Sequence, residues 1–217
     1  ISLAAQCQVN NLSYIVLERN SNFGGVWFDT TKETHLQTHK RFYQYSDFPF
    51  HKTIEDHPDK KAILKYLRNY LDFKKVNIDE KVLWNFKVTN IKKHNNAWCI
   101  CDENGKQIYG KNIGICVGLF SQPRNININN KSQNINYYDF NKIVNSNEQS
   151  KITSIFKNKR VIIHGNGPTA CDIIDIIKDV QNIDITVSIK KPKFYIRKYF
   201  LGISTSKLVH PFILKAV

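Results

Sequence analysis

The stretch RVIIHGNGPTACDIIDIIKDVQNIDITVSIKK, Arg160 to Lys191, decides the fold. Val161, Ile162 and Ile163 read as a short buried strand. Gly165-Asn166-Gly167-Pro168-Thr169-Ala170 is G-x-G-x-x-A, a tight glycine turn that opens directly into a helix. Apolar residues at Ala170, Ile173, Ile174 and Ile177 follow the 3.6-residue period of one buried face. A second β-branched strand is expected from Ile183 to Ile189. Strand, turn, helix and strand within about 30 residues is the context in which such glycines signal a dinucleotide site. The glycines let the backbone approach a pyrophosphate, which sits at the positive end of the helix.

The end of the second strand distinguishes between nucleotides. NAD and FAD sites usually place an acid there to hold the ribose hydroxyls. Here Ser188-Ile189-Lys190-Lys191 offers a hydroxyl and two ammonium groups, which suit a 2′-phosphate, so the reading is NADPH. Gly165, Asn166, Gly167, Pro168, Thr169, Ala170, Ser188, Lys190 and Lys191 are the expected NADP-binding residues.

The sequence has 217 residues, a formal charge of +14 and 41% hydrophobic residues, enough for a globular core. From Thr186 onward there are seven basic residues and no acid. That balance suggests a nucleic-acid groove, but Lys is abundant throughout and the basic end coincides with the expected phosphate site, so nucleic acid is disfavoured. No apolar run approaches the roughly 20 residues of a membrane span, so no membrane attachment is visible. The five cysteines lack zinc or disulfide spacing. Cys99-Ile100-Cys101 alternates in a predicted strand, with both thiols on one side. Reduced thiols and a cytoplasmic protein, free or peripheral to an internal membrane, are the expectation. With no Met and a start at Ile1, the chain is expected to be a fragment lacking both ends.

Ile1 to Cys7 reads as a helix already under way. Tyr14 to Glu18 reads as a strand ending in an acid, the second half of another nucleotide unit, whose first strand and glycine loop are expected upstream. Asn22-Phe23-Gly24-Gly25-Val26-Trp27 follows, a glycine pair beside an indole that suggests backbone packed under a flat ring system. From here the chain resembles the flavin-containing monooxygenases, whose FAD domain runs strand, Glu, short loop and G-G-x-W. Leu36-Gln37-Thr38-His39 through Tyr45-Ser46-Asp47-Phe48-Pro49 resembles the flavin-side L-x-T-x…F-S-D-F-P segment. An amphipathic helix at Ala62 to Leu71 precedes a strand at Val82 to Val88, as in the family. A β meander is expected over Val88 to Ile91, Ala97 to Cys101 and Gln107 to Tyr109. Ile113 to Gly118 reads as a further buried strand, standing where the family has a strand ending in Ala-Thr-Gly. Here Cys116 and Val117 replace the Ala and Thr. Residues 125–150 read as a loop or linker. Within them Ser132 to Phe140 stands in place of F-x-G-x-x-x-H-S-x-D-Y, with Asn136 at the His position and Gln133 at the Gly.

The resemblance implies an α/β fold with two Rossmann-like dinucleotide-binding domains, the NADPH domain inserted into the FAD domain. Residues 1–150 would be the partial FAD domain and 151–217 the partial NADPH domain. It implies FAD held by Glu18, Arg19, Gly24, Gly25, Val26, Trp27, Leu36, Thr38, Val88 and Gly118. Reduced flavin would form a C4a-hydroperoxide with O2 and pass one oxygen to a small nucleophile, nitrogen or sulfur. Many members carry Asn near the flavin edge where this chain has His39, which makes His39 the candidate catalytic residue. His35, His39, His51 and His57 invite a metal reading, but Pro49 interrupts them and no helix is expected there, so no metal is expected. Three alternatives remain. A Baeyer–Villiger enzyme would attack a ketone, a disulfide reductase would need a Cys-x-x-Cys dithiol that the chain lacks, and a non-catalytic flavoprotein-like fragment would only bind. Substrate identity and oligomeric state are left open.

Overall fold

The structure is a computed structural model that describes residues 1–119 and 149–208. The architecture is mixed α/β, and the chain divides into two units. The first comprises residues 1–28 and 63–119, and the second comprises residues 29–62 and 149–208.

In the first unit, helix α1 spans Ser2–Val9 and buries Ala4 and Ala5. The expected Tyr14 to Glu18 strand shortens to β1, Val16–Leu17, and the expected Val82 to Val88 strand shortens to β2, Val82–Leu83. The two pair in parallel, Val16 with Val82 and Leu17 with Leu83. Asn85, at φ 55°, turns the chain out of the strand just after the pair. That ends β2 well before Val88. The backbone of Glu18 continues the pairing: its N–H donates to the Leu83 carbonyl at 3.0 Å, and its carbonyl accepts from the Phe86 N–H at 2.8 Å.

Gly24 and Gly25, at φ +120° and +54°, open the one-turn helix α2, Val26–Asp29. The long helix α3, Lys60–Phe73, belongs to this unit from Ile63 onward. Its apolar residues recur every three or four positions, so Ile63, Tyr66, Leu67, Tyr70 and Leu71 form one buried stripe. Burying each contributes about 1.5–3 kcal/mol. Helix α4 is Ile78–Lys81, capped by the Asn77 side chain, which accepts from the Asp79 N–H. The meander forms as expected: β3 Val88–His94, β4 Ala97–Asp102 and β5 Gln107–Gly110, antiparallel with β4 in the centre. Its tight turn is organised by Asp102, whose Oδ1 accepts from the N–H groups of Asn104 and Lys106.

The reading of Ile113 to Gly118 as a buried strand is corrected. Among the described residues it joins no sheet, and Ile115 and Val117 are 71% and 72% exposed. An apolar run becomes a buried strand only where neighbours pair and cover it, and composition alone does not supply them.

In the second unit, helix α5 (Gln149–Phe156) leads into β6 (Arg160–His164), helix α6 (Pro168–Ile177) and β7 (Asp184–Ser188). Helix α5 claims the last two residues of the expected linker; the rest of 125–150, with Gln133 and Asn136, lies outside the described residues. β6 and β7 are parallel, in register from Arg160–Asp184 to His164–Ser188. Ile152, Phe156, Ile163, Ala170, Ile177 and Val180 form the core between helices and strands. The expected buried strand is buried on one face only, since Ile162 is 74% exposed while Ile163 is buried. Successive residues of a strand point to opposite faces, and α6 covers one of them. A hairpin, β8 (Tyr199–Phe200) with β9 (Ile203–Ser204), leads into helix α7, Thr205–Leu208. The loop at 30–34 is tied to α6 through Thr34, whose hydroxyl donates to Asp172 at 2.7 Å. No helix among the described residues is long and apolar enough to cross a membrane.

Candidate nucleotide site and the histidine network

The glycine turn of the second unit sits where its sequence places it. Gly165, at φ +111°, takes the chain off β6, and its N–H donates to the Ser188 carbonyl at 2.8 Å, holding the ends of the two strands together. Gly167 is the N-cap of α6 and Pro168 opens the helix, a position where its missing N–H costs nothing. Ala170 faces the core, so a small residue there lets helix and strand approach, while Thr169 lies exposed in the first turn.

Around this turn is a cavity of about 370 Å³ lined by His164, Gly165, Asn166, Gly167, Ser188, Lys190, Lys191 and Lys193. The structure thus brings together the glycines, Ser188 and both strand-end lysines. It adds two residues that the motif does not name. His164 is the last residue of β6, in register with Ser188, and Lys193 follows the strand end by a few residues. The position of His164 immediately before the turn was the available signal for it. Tyr195 also reaches back, its hydroxyl donating to the Asn166 carbonyl at 3.0 Å. A Cβ placed on Gly165 or Gly167 would meet nothing within 4 Å, so the backbone there is open to a ligand. Bare backbone at a helix N-terminus, with three ammonium groups and no carboxylate in the lining, suits a phosphorylated dinucleotide.

The residues expected around a flavin divide between the units. Glu18, Arg19, Gly24, Gly25, Val26, Trp27, Val88 and Gly118 belong to the first, and Leu36, Thr38 and His39 to the second. Glu18 uses one carboxylate oxygen, Oε1, to accept from the Asn20 N–H at 2.9 Å, which shapes the loop after β1. Arg19 is exposed. A Cβ on Gly24 would lie 2.5 Å from Leu64 Cδ2, so its close neighbour is the apolar side of α3. Val26 is exposed and Trp27 half-buried on α2; Val88 opens β3, and Gly118 has φ +71°. Leu36 is buried, with its N–H donating to the Pro58 carbonyl, and Thr38 is exposed.

His39 is buried, and both its ring nitrogens are engaged. Nδ1 accepts from the Arg41 N–H at 3.1 Å, and Nε2–H donates to Asp56 Oδ1 at 2.8 Å. Burial pushes its pKa down, and the Asp56 hydrogen bond and charge oppose this without cancelling it; Lys207 and Arg41 push it down further. Burial alone would raise Asp56, but hydrogen bonds from Lys207 and His39, with their charges, hold its carboxyl below the usual value. The pair is a neutral imidazole bonded to a carboxylate whose charge partner is Lys207, 3.2 Å from Oδ2.

The network runs further. The His39 backbone N–H donates to Ser206 Oγ at 2.8 Å, and Ser206 and Ser204 hydroxyls meet at 2.9 Å. Ser204, fully buried, faces His57 Nε2 at 3.0 Å, while His57 Nδ1–H donates to the Leu36 carbonyl. Asp56, Ser204, Ser206 and Lys207 were not singled out in the sequence. Ser206 is 167 residues from its partner His39, a separation no local pattern spans.

Comparison with known proteins places these features in context. The family described as pyridine nucleotide-disulphide oxidoreductase matches residues 1–199. A 4-hydroxybenzoate brominase (decarboxylating) from Marinomonas mediterranea is 26% identical over 76% of this chain and 32% of its own length. A thiol-specific monooxygenase from Saccharomyces cerevisiae is 24% identical over 84% of this chain and 44% of its own length. The chain thus spans less than half the length of these two curated relatives. Among solved structures, OTEMO in complex with FAD and NADP shares the fold, with a TM-score of 0.67 and 18% identity over 87% of this chain and 36% of that one. The resemblance to flavin monooxygenases noted in the sequence accords with these relatives. With a match running from the first helix through the glycine turn to the β8 strand, the chain belongs to the pyridine nucleotide-disulphide oxidoreductase family.

Proposed function

We propose that the chain is the nucleotide-binding portion of an FAD- and NADPH-dependent monooxygenase that uses O2 to oxygenate a soft nucleophile, nitrogen or sulfur. The observation that carries the cofactor reading is the cavity at the glycine turn, where Ser188, Lys190, Lys191 and Lys193 converge without an acid. The oxygenase reading is supported by the thiol-specific monooxygenase relative and by the shared fold of a protein that holds FAD and NADP. In this reading two Rossmann-like domains, the second inserted into the first, each hold one dinucleotide. When bound, the cofactors supply hydride transfer and oxygen activation; the protein binds, orients and excludes water.

The backbone from Gly165 to Gly167 would receive the pyrophosphate, and the lysines and Ser188 the 2′-phosphate. Glu18, with Oε1 committed to Asn20, would offer Oε2 to a ribose hydroxyl of FAD. His39 would act by fixing the Leu36–His39 segment, because both ring nitrogens are already bonded within the protein. The test is product analysis of the full protein with NADPH, an organic sulfide and a cyclic ketone. Sulfoxide formation with consumption of NADPH is expected. Ester formation alone would select the Baeyer–Villiger reading, and a colourless purified protein without flavin absorbance would sink the enzyme reading altogether.

A further inference from the structure

The meander of the first unit holds a second chemical feature, separate from nucleotide binding. Cys99 and Cys101 lie on β4, its central strand, and alternate residues of a strand share a face. Their sulfurs are 3.8 Å apart. Both residues are anchored from either side: Cys99 pairs with Lys92 and Tyr109, Cys101 with Asn90 and Gln107. The backbone under the two thiols is therefore held by ladders on both edges. Cys99 is 9% exposed and Cys101 half-buried.

Two chemistries are open to such a pair. A disulfide needs sulfurs about 2.05 Å apart, far closer than the 3.8 Å found here. A tetrahedral ion with metal–sulfur bonds of about 2.3 Å, by contrast, holds two sulfurs about 3.8 Å apart. That is the spacing already present. We propose that Cys99 and Cys101 form a two-thiolate site for a divalent, thiophilic ion with zinc-like bond lengths, its remaining positions filled by solvent or a small thiol. Among the described residues no third His, Cys, Asp or Glu completes the set. The site is thus open on one side, unlike a closed structural zinc centre.

Binding exchanges two S–H protons for the ion, with no change of oxidation state. Protons therefore compete with the ion, and binding tightens as pH rises.

The experiment is a Cd(II) titration of the reduced protein, followed by the ultraviolet sulfur-to-metal absorption. A variant with Cys7, Cys116 and Cys171 replaced by Ser keeps one saturable equivalent, tighter at pH 8 than at pH 6. Cys99→Ser and Cys101→Ser each weaken it by at least about tenfold. Far-ultraviolet circular dichroism identifies variants that fail to fold, and Cys101→Ala, which leaves no oxygen donor, repeats the test on a folded background. Unchanged binding in any folded single variant overturns the proposal, as does loss of the band in the triple variant or the absence of a saturable band.

Discussion

Replacing both Lys190 and Lys191 with Ala tests the nucleotide reading most directly. Both lysines are exposed and line the cavity beside Ser188. An ion pair at an exposed site is worth up to about 1 kcal/mol. Two such pairs to a 2′-phosphate sum to about 2 kcal/mol, or roughly a 30-fold loss of NADPH affinity. NADH lacks the 2′-phosphate and should lose less than about threefold, since Gly165 to Gly167 and the helix N-terminus are untouched. Lys193 remains in the lining and keeps part of the field, so 30-fold is an upper figure. The assay is equilibrium titration of both nucleotides by quenching of protein fluorescence, repeated at low and high salt. Raising the salt should shrink the wild-type preference for NADPH, because exposed charges are screened within about a Debye length of 10 Å at 0.1 M. Equal losses for NADPH and NADH would refute the 2′-phosphate role, even if both bind at the glycine turn.

Four further outcomes are expected. Because the His39 ring is harder to protonate in the folded chain than in the unfolded one, folding loses stability as pH falls below about 6.5. The urea midpoint should drop between pH 7.5 and 5.5, and His39→Asn should flatten that slope; an unchanged slope would count against the neutral imidazole. Asp56 acts lower on the scale: its depressed carboxyl adds stability that is lost only as pH falls below its ordinary value of 3.8. Ile177→Ala, at a fully buried position of the second core, should cost about 2–5 kcal/mol in denaturant unfolding, and a cost below 1 kcal/mol would contradict the packing described. Gly24→Ala must adopt φ +120° with its methyl against Leu64, so it should lower stability by about 1–3 kcal/mol. A thermal midpoint equal to that of the wild type would show that this turn can rearrange.

The readings that succeeded rest on local physics. The α6 and α3 stripes follow from a period of 3.6, the meander from short runs set between turn residues, and the glycine turn from Gly165, at φ +111°. The readings that failed needed neighbours. Ile113 to Gly118 has the composition of a buried strand, yet no described strand pairs with it. Val82 to Val88 reads as continuous strand, yet only two residues find a partner in β1 before Asn85 turns the chain. His39 attracted attention by its place in a family pattern. Its ring is engaged by Asp56, 17 residues away, and its backbone by Ser206, 167 residues away.

By itself, the sequence determined that a strand, a glycine turn and a helix would follow one another, and that the far strand would end in ammonium groups. Those features lie within a single short segment, where chain connectivity enforces proximity. Only the tertiary structure decided what His39 can do. Two hydrogen bonds engage both of its ring nitrogens, and one from its backbone reaches Ser206, far along the chain. The same holds for Cys99 and Cys101: alternation put both thiols on one face, but the 3.8 Å spacing on a strand held at both edges came from the sheet.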